Sequence, residues 1–587
     1  MKLRRETVAS GRVVTQLALV GLIGLLSSCS SGDKPTYPVG GTVSGLSATG
    51  LVLANGSDTV QVAANATSFM FSMRLPAGAT YAVTIQAQPA GQTCLVGNGT
   101  GAVASGAINN VLISCTRLWV WKSGADTKNA AGVYGTRGVA AAGNVPGARE
   151  GSMTWTDGAG NFWLFGGTYF DANGDLFYLN DLWRYTPSNG LWTWLSGSDV
   201  AVATYGTPGV YGVQGQASPS SVPGARASGA SWIDRAGNLW LFGGYGYDSA
   251  NLFYLNDLWE YSPATGEWTW VSGPTSSAST PTAVYGTEGV SASANLPPPR
   301  QGCVAWIDST GNLWLFGGTG VIPGANVDTV GGLNDLWTFS PATGEWTWVS
   351  GSSSVNSAAS YGTLGAAAST NVPDGRYAAA SWIDSADNLW LFGGSTLSGD
   401  RNDLWKFTPS TNQWTWVSGP NTPNGLGVYG TLGSSAAANV PGSRFAAASW
   451  IDASGNFWLF GGQVFSAGLL NDLWMFSPGT DQWTWVNGSG SGDVAGVYGT
   501  LGTAAPTNTP GGRTGAATWI DGAGNLWLFG GTGPDSPAAG AELNDLWQYQ
   551  RRVDLKTVFC PRTRGSPNGH RNGKEPLSQC NTISYRR

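Results

Sequence analysis

Residues 225–272 read ARASGASWIDRAGNLWLFGGYGYDSANLFYLNDLWEYSPATGEWTWVS. Short runs of strand-forming, partly alternating residues at 225–233, 238–242, 255–261 and 267–272 predict four strands, a to d. The joints between a and b (Asp234-Arg235-Ala236-Gly237) and between c and d (Pro263-Ala264-Thr265-Gly266) are hairpin turns. Glycine accepts positive φ there, and an aspartate side chain takes hydrogen bonds from nearby backbone amides. The unit occurs six times, with Phe-Gly-Gly glycine pairs beginning at Gly166, Gly243, Gly317, Gly393, Gly461 and Gly530. Five Trp-x-Trp pairs follow, beginning at Trp192, Trp268, Trp346, Trp414 and Trp483, while the sixth unit stops at Trp547 without one. The missing pair, Trp119/Trp121, precedes the first unit. A repeat short of its last strand at one end, with a spare at the other, predicts a closed ring. Residues 118–121 would complete the unit between Arg513 and Trp547, removing an exposed sheet edge.

Four antiparallel strands per unit, six units and aromatics at fixed offsets predict an all-β, six-bladed β-propeller over residues 117–550. All 30 tryptophans fall on the repeated template, so packing between blades is expected of them rather than an exposed sugar-binding array. The 15% glycine of the chain (88 of 587 residues) suits short strands and tight turns. Its 12% aromatic content argues against disorder.

The pattern Arg…Leu-Trp-Leu-Phe-Gly-Gly…Asn-Asp-Leu-Trp…Trp-x-Trp resembles the kelch motif. The resemblance covers about residues 118–550 and implies a propeller in which one chain terminus completes the last blade. It is similar also to the central domain of galactose-oxidase-type copper enzymes, whose chemistry needs two histidines and a Tyr–Cys cross-link. This chain has one histidine, His570, outside the repeat, so no copper site, metal or other cofactor is expected.

The flanking segments read differently. Residues 1–29 combine a basic start (Lys2, Arg4, Arg5), an apolar stretch 13–26 and Leu26-Ser27-Ser28-Cys29. This resembles a bacterial lipoprotein signal with lipidation at Cys29, the alternative being an ordinary secretory signal. Ser30 after the cysteine favours the outer membrane if the cell is Gram-negative. Residues 30–37 form a polar linker. Residues 38–116 carry short alternating runs that predict a small β-sandwich similar to Ig-like or transthyretin-like spacer modules. Cys94 and Cys115 are expected to pair in an exported protein, and Cys303 to be a small buried hydrophobe. Residues 551–587 hold nine Lys/Arg against two Asp/Glu, and read as a disordered basic tail or an out-of-frame end. The rest of the chain is therefore net acidic, a poor match for nucleic acid.

Function is expected on the face carrying the d–a connections and the variable b–c loops. Two features recur there: Tyr-Gly-Thr at Tyr134, Tyr205, Tyr285, Tyr361, Tyr429 and Tyr498, and an arginine opening strand a at Arg149, Arg226, Arg300, Arg376, Arg444 and Arg513. The arginines read either as a cationic ring binding carboxylates or acidic peptides, or as partners of a nearby carboxylate such as the aspartate of Asn-Asp-Leu-Trp. The tyrosines read as loop anchors, and the Asn-Asp pairs as turn caps rather than metal ligands. No nucleophile or metal motif appears in the repeat, and no catalytic residue is assigned. The expected role is binding of an envelope or extracellular protein or a glycan by a lipid-anchored protein. The alternative is a sugar-acid-acting enzyme of the sialate mutarotase-like kelch type.

Overall fold

A computed structural model describes residues 35–550 except 47–48, 90–91, 172, 200–204, 277–281, 324–327, 465–467 and 535–540. The expected signal segment with Cys29, and the tail with Cys560, His570 and Cys580, lie outside the described residues. Among the described residues the chain is all-β with no helix.

Two four-stranded sheets come first. One runs in the order Ser68–Met70, Val39–Ser44, Ile108–Arg117, Gln92–Gly97; the other in the order Asp58–Val62, Leu51–Asn55, Thr80–Ala87, Thr100–Ala102. Alternating side chains from both, among them Val39, Val43, Leu51, Leu53, Val83, Val111 and Ile113, share one apolar core. A disulfide joins Cys94 to Cys115, which are direct cross-strand partners.

The repeat builds six further antiparallel sheets of four to six strands in a propeller-like architecture. In the first, Met153–Thr156, Phe162–Phe170, Leu176–Thr186 and Leu191–Ser196 pair in sequence order as strands a to d. In the last, Trp119–Ser123 pairs antiparallel with Glu542–Tyr549, setting Trp121 opposite Trp547.

Strand b, read from sequence as ending before Gly-Gly, runs through it in five of the six units; only in the fifth does it stop at Phe460. Strands b and c of the second unit, Leu239–Tyr247 and Leu252–Ser262, continue past Gly-Gly with a register shift between Phe242 and Gly244. The pair is a β-bulge in mid-strand. Its first glycine has φ +63, and a Cβ there would meet the carbonyl oxygens of Leu255 and Arg300 at 2.7 and 3.0 Å. The b–c loop is accordingly only residues 248–251 in this unit.

The d–a connections are also more ordered than loops. Ala217–Ser218 lies antiparallel on the outer strand Glu267–Ser272 of the following sheet, and Val210 bridges Val222 within the same connection. These segments cover the outer edges of the sheets.

Each strand a carries one left-handed residue just after the arginine: Gly151, Ser228, Gly302, Ala378, Ala446 and Gly515. Their peptide groups bond sideways from sheet to sheet. Ser228 N–H donates to Gly151 O, Gly302 to Ser228, Ala378 to Gly302, Ala446 to Ala378, Gly515 to Ala446, and Gly151 back to Gly515, with N···O distances of 2.6–3.0 Å. The circle is a backbone collar that links all six sheets.

The apolar core lies between sheets. One cluster joins Phe162, Leu164, Trp183 and Trp192 of the first sheet to Trp519, Trp527, Phe529 and Leu546 of the last. Indole N–H groups fix this packing by strand position. Strand-b Trp163 and Trp240 donate to Asp157 and Asp234 of their own a–b turns. Strand-c Trp183 and Trp259 donate to Asp181 and Asp257. Strand-a Trp155 and Trp519 reach the backbone oxygens of Trp240 and Trp163 in neighbouring sheets.

Candidate functional site

The six arginines predicted as a site do not form a free cationic ring. Each is buried and ion-paired with the aspartate of its own Asn-Asp-Leu-Trp: Arg149–Asp181, Arg226–Asp257, Arg300–Asp335, Arg376–Asp403, Arg444–Asp472 and Arg513–Asp545, at 2.6–2.7 Å. In the second unit Arg226 gives Nη1 and Nη2 to the two oxygens of Asp257, Nη1 also to Gly243 O, and Nε to Gly224 O. The same aspartate accepts from Tyr211 Oη and Trp259 Nε1. Four of the five N–H donors of Arg226 are thus engaged, both prongs of its fork are on Asp257, and the side chain is fully buried. The contacts are those of the second of the two sequence readings, each arginine paired with the aspartate of Asn-Asp-Leu-Trp.

The Asn-Asp pairs, expected as turn caps, lie inside strand c in five of the six units and directly before it in the fifth, where the strand begins at Leu473. The asparagine reaches the next unit, Asn256 Nδ2 donating to Pro297 O and Asn544 to Pro146 O across the seam. Five of the six tyrosines named from sequence bond the same aspartates: Tyr134, Tyr285, Tyr361, Tyr429 and Tyr498. The sixth, Tyr205, does not. Its place is taken by Tyr211, while Tyr205 is half exposed at φ +65 against Phe177. The spacing carried the signal: every bonding tyrosine lies fifteen residues before its arginine, and Tyr205 lies twenty-one before Arg226.

What varies from unit to unit sits just above the collar. The residue following each arginine is Glu150, Ala227, Gln301, Tyr377, Phe445 or Thr514; the residue following each Gly-Gly is Thr168, Tyr245, Thr319, Ser395, Gln463 or Thr532. Three positions before the paired aspartates stand Tyr178, Tyr254, Gly332, Asp400, Leu469 and Glu542. Cross-strand pairing assembles these into six lateral rows, such as Glu150–Thr168–Tyr178, Ala227–Tyr245–Tyr254 and Thr514–Thr532–Glu542. Directly opposed residues point to one face of a sheet, so each row acts as a unit of the rim. The sequence reading missed these positions because it sought what repeats, and the rim is where the repeat stops repeating.

The rim is chemically lopsided. Tyr178 and Tyr245 approach to 5.9 Å between ring centres, Tyr245 and Tyr254 to 4.9 Å edge to face, and Tyr377 and Phe445 to 6.0 Å. All five side chains are half buried. Burial, with neighbouring phenols beside it, pushes the Tyr178 hydroxyl up to about 12. On the sixth row, Thr532 Oγ1 donates to Glu150 at 2.7 Å, joining last unit to first. Glu542 is fully buried; Phe170 N–H donates to its Oε2, and its Oε1 has no hydrogen-bond partner. Burial, with Glu150 nearby, raises the Glu542 carboxyl to about 7. Beside it a cavity of about 440 Å³ is bounded by Asn129, Tyr134, Arg149, Tyr169, Phe170 and Asp199.

Beyond the collar, the central channel holds about 360 Å³. It is lined by a small, mostly hydroxylated ring (Thr154, Ser231, Ala305, Ser381, Ser449, Thr518), then by Thr156 and five isoleucines. Cys303 lies directly after collar residue Gly302, partly buried, and burial pushes its thiol up to about 11. No protein-family model matches the chain.

Proposed function

We propose that residues 117–550 are a six-bladed kelch-type β-propeller closed by residues 119–123, and that its loop-bearing rim binds a glycan chain. The observation that carries this reading is the asymmetry of the rim. The arginine, aspartate and tryptophan positions that maintain the fold are the same in all six units, whereas the three rim positions vary among units and place Tyr178, Tyr245 and Tyr254 side by side in the first two. Half-buried phenols set edge to face around a floor of backbone offer flat apolar surface to a sugar ring, with hydroxyls at their edges for its polar groups. A sugar-acid-acting enzyme would have to find its cation away from the six engaged arginines.

The circle of hydrogen bonds between peptide groups of six sheets and the pairing of Trp121 with Trp547 support the blade count. Within the proposal, residues 38–116 serve as an Ig-like spacer, and a lipid on Cys29 after signal cleavage holds the protein at the outer membrane. Palmitate labelling that disappears in Cys29→Ala tests the anchor. A glycan array probed with the soluble protein tests the function: binding is expected to fall at least tenfold in Tyr178→Ala and Tyr254→Ala. A blank array alongside a captured envelope protein would replace the glycan by a protein partner.

A further inference from the structure

We propose that the glycan bound at the rim carries an amino sugar whose ammonium group sits between Glu150 and Glu542. This inference rests on the glycan reading above. Neither carboxylate takes part in an ion pair among the described residues. Thr532 connects them: it hydrogen-bonds Glu150 and stands directly opposite Glu542 in the sheet, so Glu542 projects from the same face toward Glu150. Glu542 Oε1 is buried without a donor. A buried acceptor left unmatched is desolvated without compensation, and two carboxyls at one spot repel once both are ionised. A ligand ammonium corrects both faults at once, because it supplies three donors and a positive charge.

The tyrosines extend the argument to the rest of the ligand. Tyr178 lies in the same row as Glu150 and leads to Tyr245 and Tyr254 in the next. A sugar with its 2-ammonium at the carboxylates would lay the following residues of its chain over these rings. An N-acetylated sugar has the same stacking face and no charge, which separates the two halves of the site.

The test is titration calorimetry of the intact soluble protein with tetraglucosamine, tetra-N-acetylglucosamine and cellotetraose at pH 6 and 0.3 M salt, with tetralysine as a charge control. Tetraglucosamine is expected to bind at least tenfold more tightly than either neutral tetramer. Glu150→Gln and Glu542→Gln, near-isosteric changes, are expected to bring tetraglucosamine down to the affinity of the neutral tetramers. Tyr254→Ala is expected to weaken all three sugars. Equal affinity for charged and neutral tetramers overturns the amino-sugar inference and leaves the glycan reading standing, as does an unaltered preference in both glutamine variants. Tetralysine binding as well as tetraglucosamine overturns it too, reducing the site to a general cation trap. Failure of every sugar overturns the underlying reading. Circular dichroism of each variant separates loss of binding from loss of fold.

Discussion

At the scale of single residues, Asp257 shows how a chain with so few charges holds its strands in place. It receives a two-pronged arginine, a phenol and an indole, and a buried carboxylate in such a cluster is stabilising only while every donor remains. Arg226→Ala would strand that charge, and a loss of roughly 3–5 kcal/mol in urea unfolding is expected. Tyr211→Phe should cost about 2 kcal/mol, whereas Tyr205→Phe, which removes no such bond, should leave the unfolding midpoint in place; the reverse order would show that the aspartate is anchored from the other loop position. Glu542 is shifted the opposite way to Asp257, where burial is more than offset by the Arg226 guanidinium and the other donors, which hold that carboxyl low. Its folded-state pKa of about 7 lies above the ordinary glutamate value of about 4.3, so the native state holds the proton more tightly. The stability this contributes is present in full below the unfolded value and is lost as pH rises through about 7. Glu542→Gln should therefore flatten the decline in urea midpoint between pH 5 and pH 8, and parallel profiles for the two proteins would refute it.

At the scale of elements, the strands were legible from alternation and turn chemistry, but their interruptions were not. Gly-Gly reads as an ending because glycine punctuates strands; that the same glycines here form a bulge depends on neighbouring backbones, Leu255 of the next strand and Arg300 of the next unit. The collar was less legible still. Alanine is a poor left-handed residue, yet Ala378 and Ala446 adopt φ +52 and +50 because their peptide groups complete the circle of hydrogen bonds. The arginine pairing was readable as an alternative, since Asp and Arg recur in step; the rim was not, since its meaning lies in departure from the repeat. The strained alanines give a direct check. A left-handed alanine is disfavoured by roughly 1–2 kcal/mol, of which glycine's extra unfolded-state freedom offsets about half. Ala446→Gly should thus raise stability by up to about 1 kcal/mol, and Ala446→Val should lower it by more, because branching worsens the same clash. Chemical denaturation of the two variants decides the point, and a stabilising valine would show that the collar imposes no left-handed requirement.

At the scale of the whole molecule, the ring has one seam that the chain does not cross covalently. Elsewhere strands c and d are joined by a short turn, but Trp119–Ser123 meets Glu542–Tyr549 only through hydrogen bonds and packing. Trp119 is the wedge: it is buried against Phe460, Trp547 and Tyr549, with ring centres 4.9–6.5 Å apart. Trp192 holds the equivalent place in the first sheet, against Trp183 and Tyr185. Truncating either indole to alanine removes similar packing, roughly 3–5 kcal/mol, yet the consequences should differ. Without Trp119 the closing strand can leave as a unit, since no turn tethers it to its partner, and the last sheet is left with an open edge. Hydrogen exchange in Trp119→Ala is therefore expected to accelerate first in the amides of 542–549, well below the global unfolding transition. In Trp192→Ala, where the turn keeps strand d beside strand c, exchange should rise with global unfolding instead. If both variants exchange alike, the seam is as cooperative as any covalent turn, and the ring opens nowhere in particular.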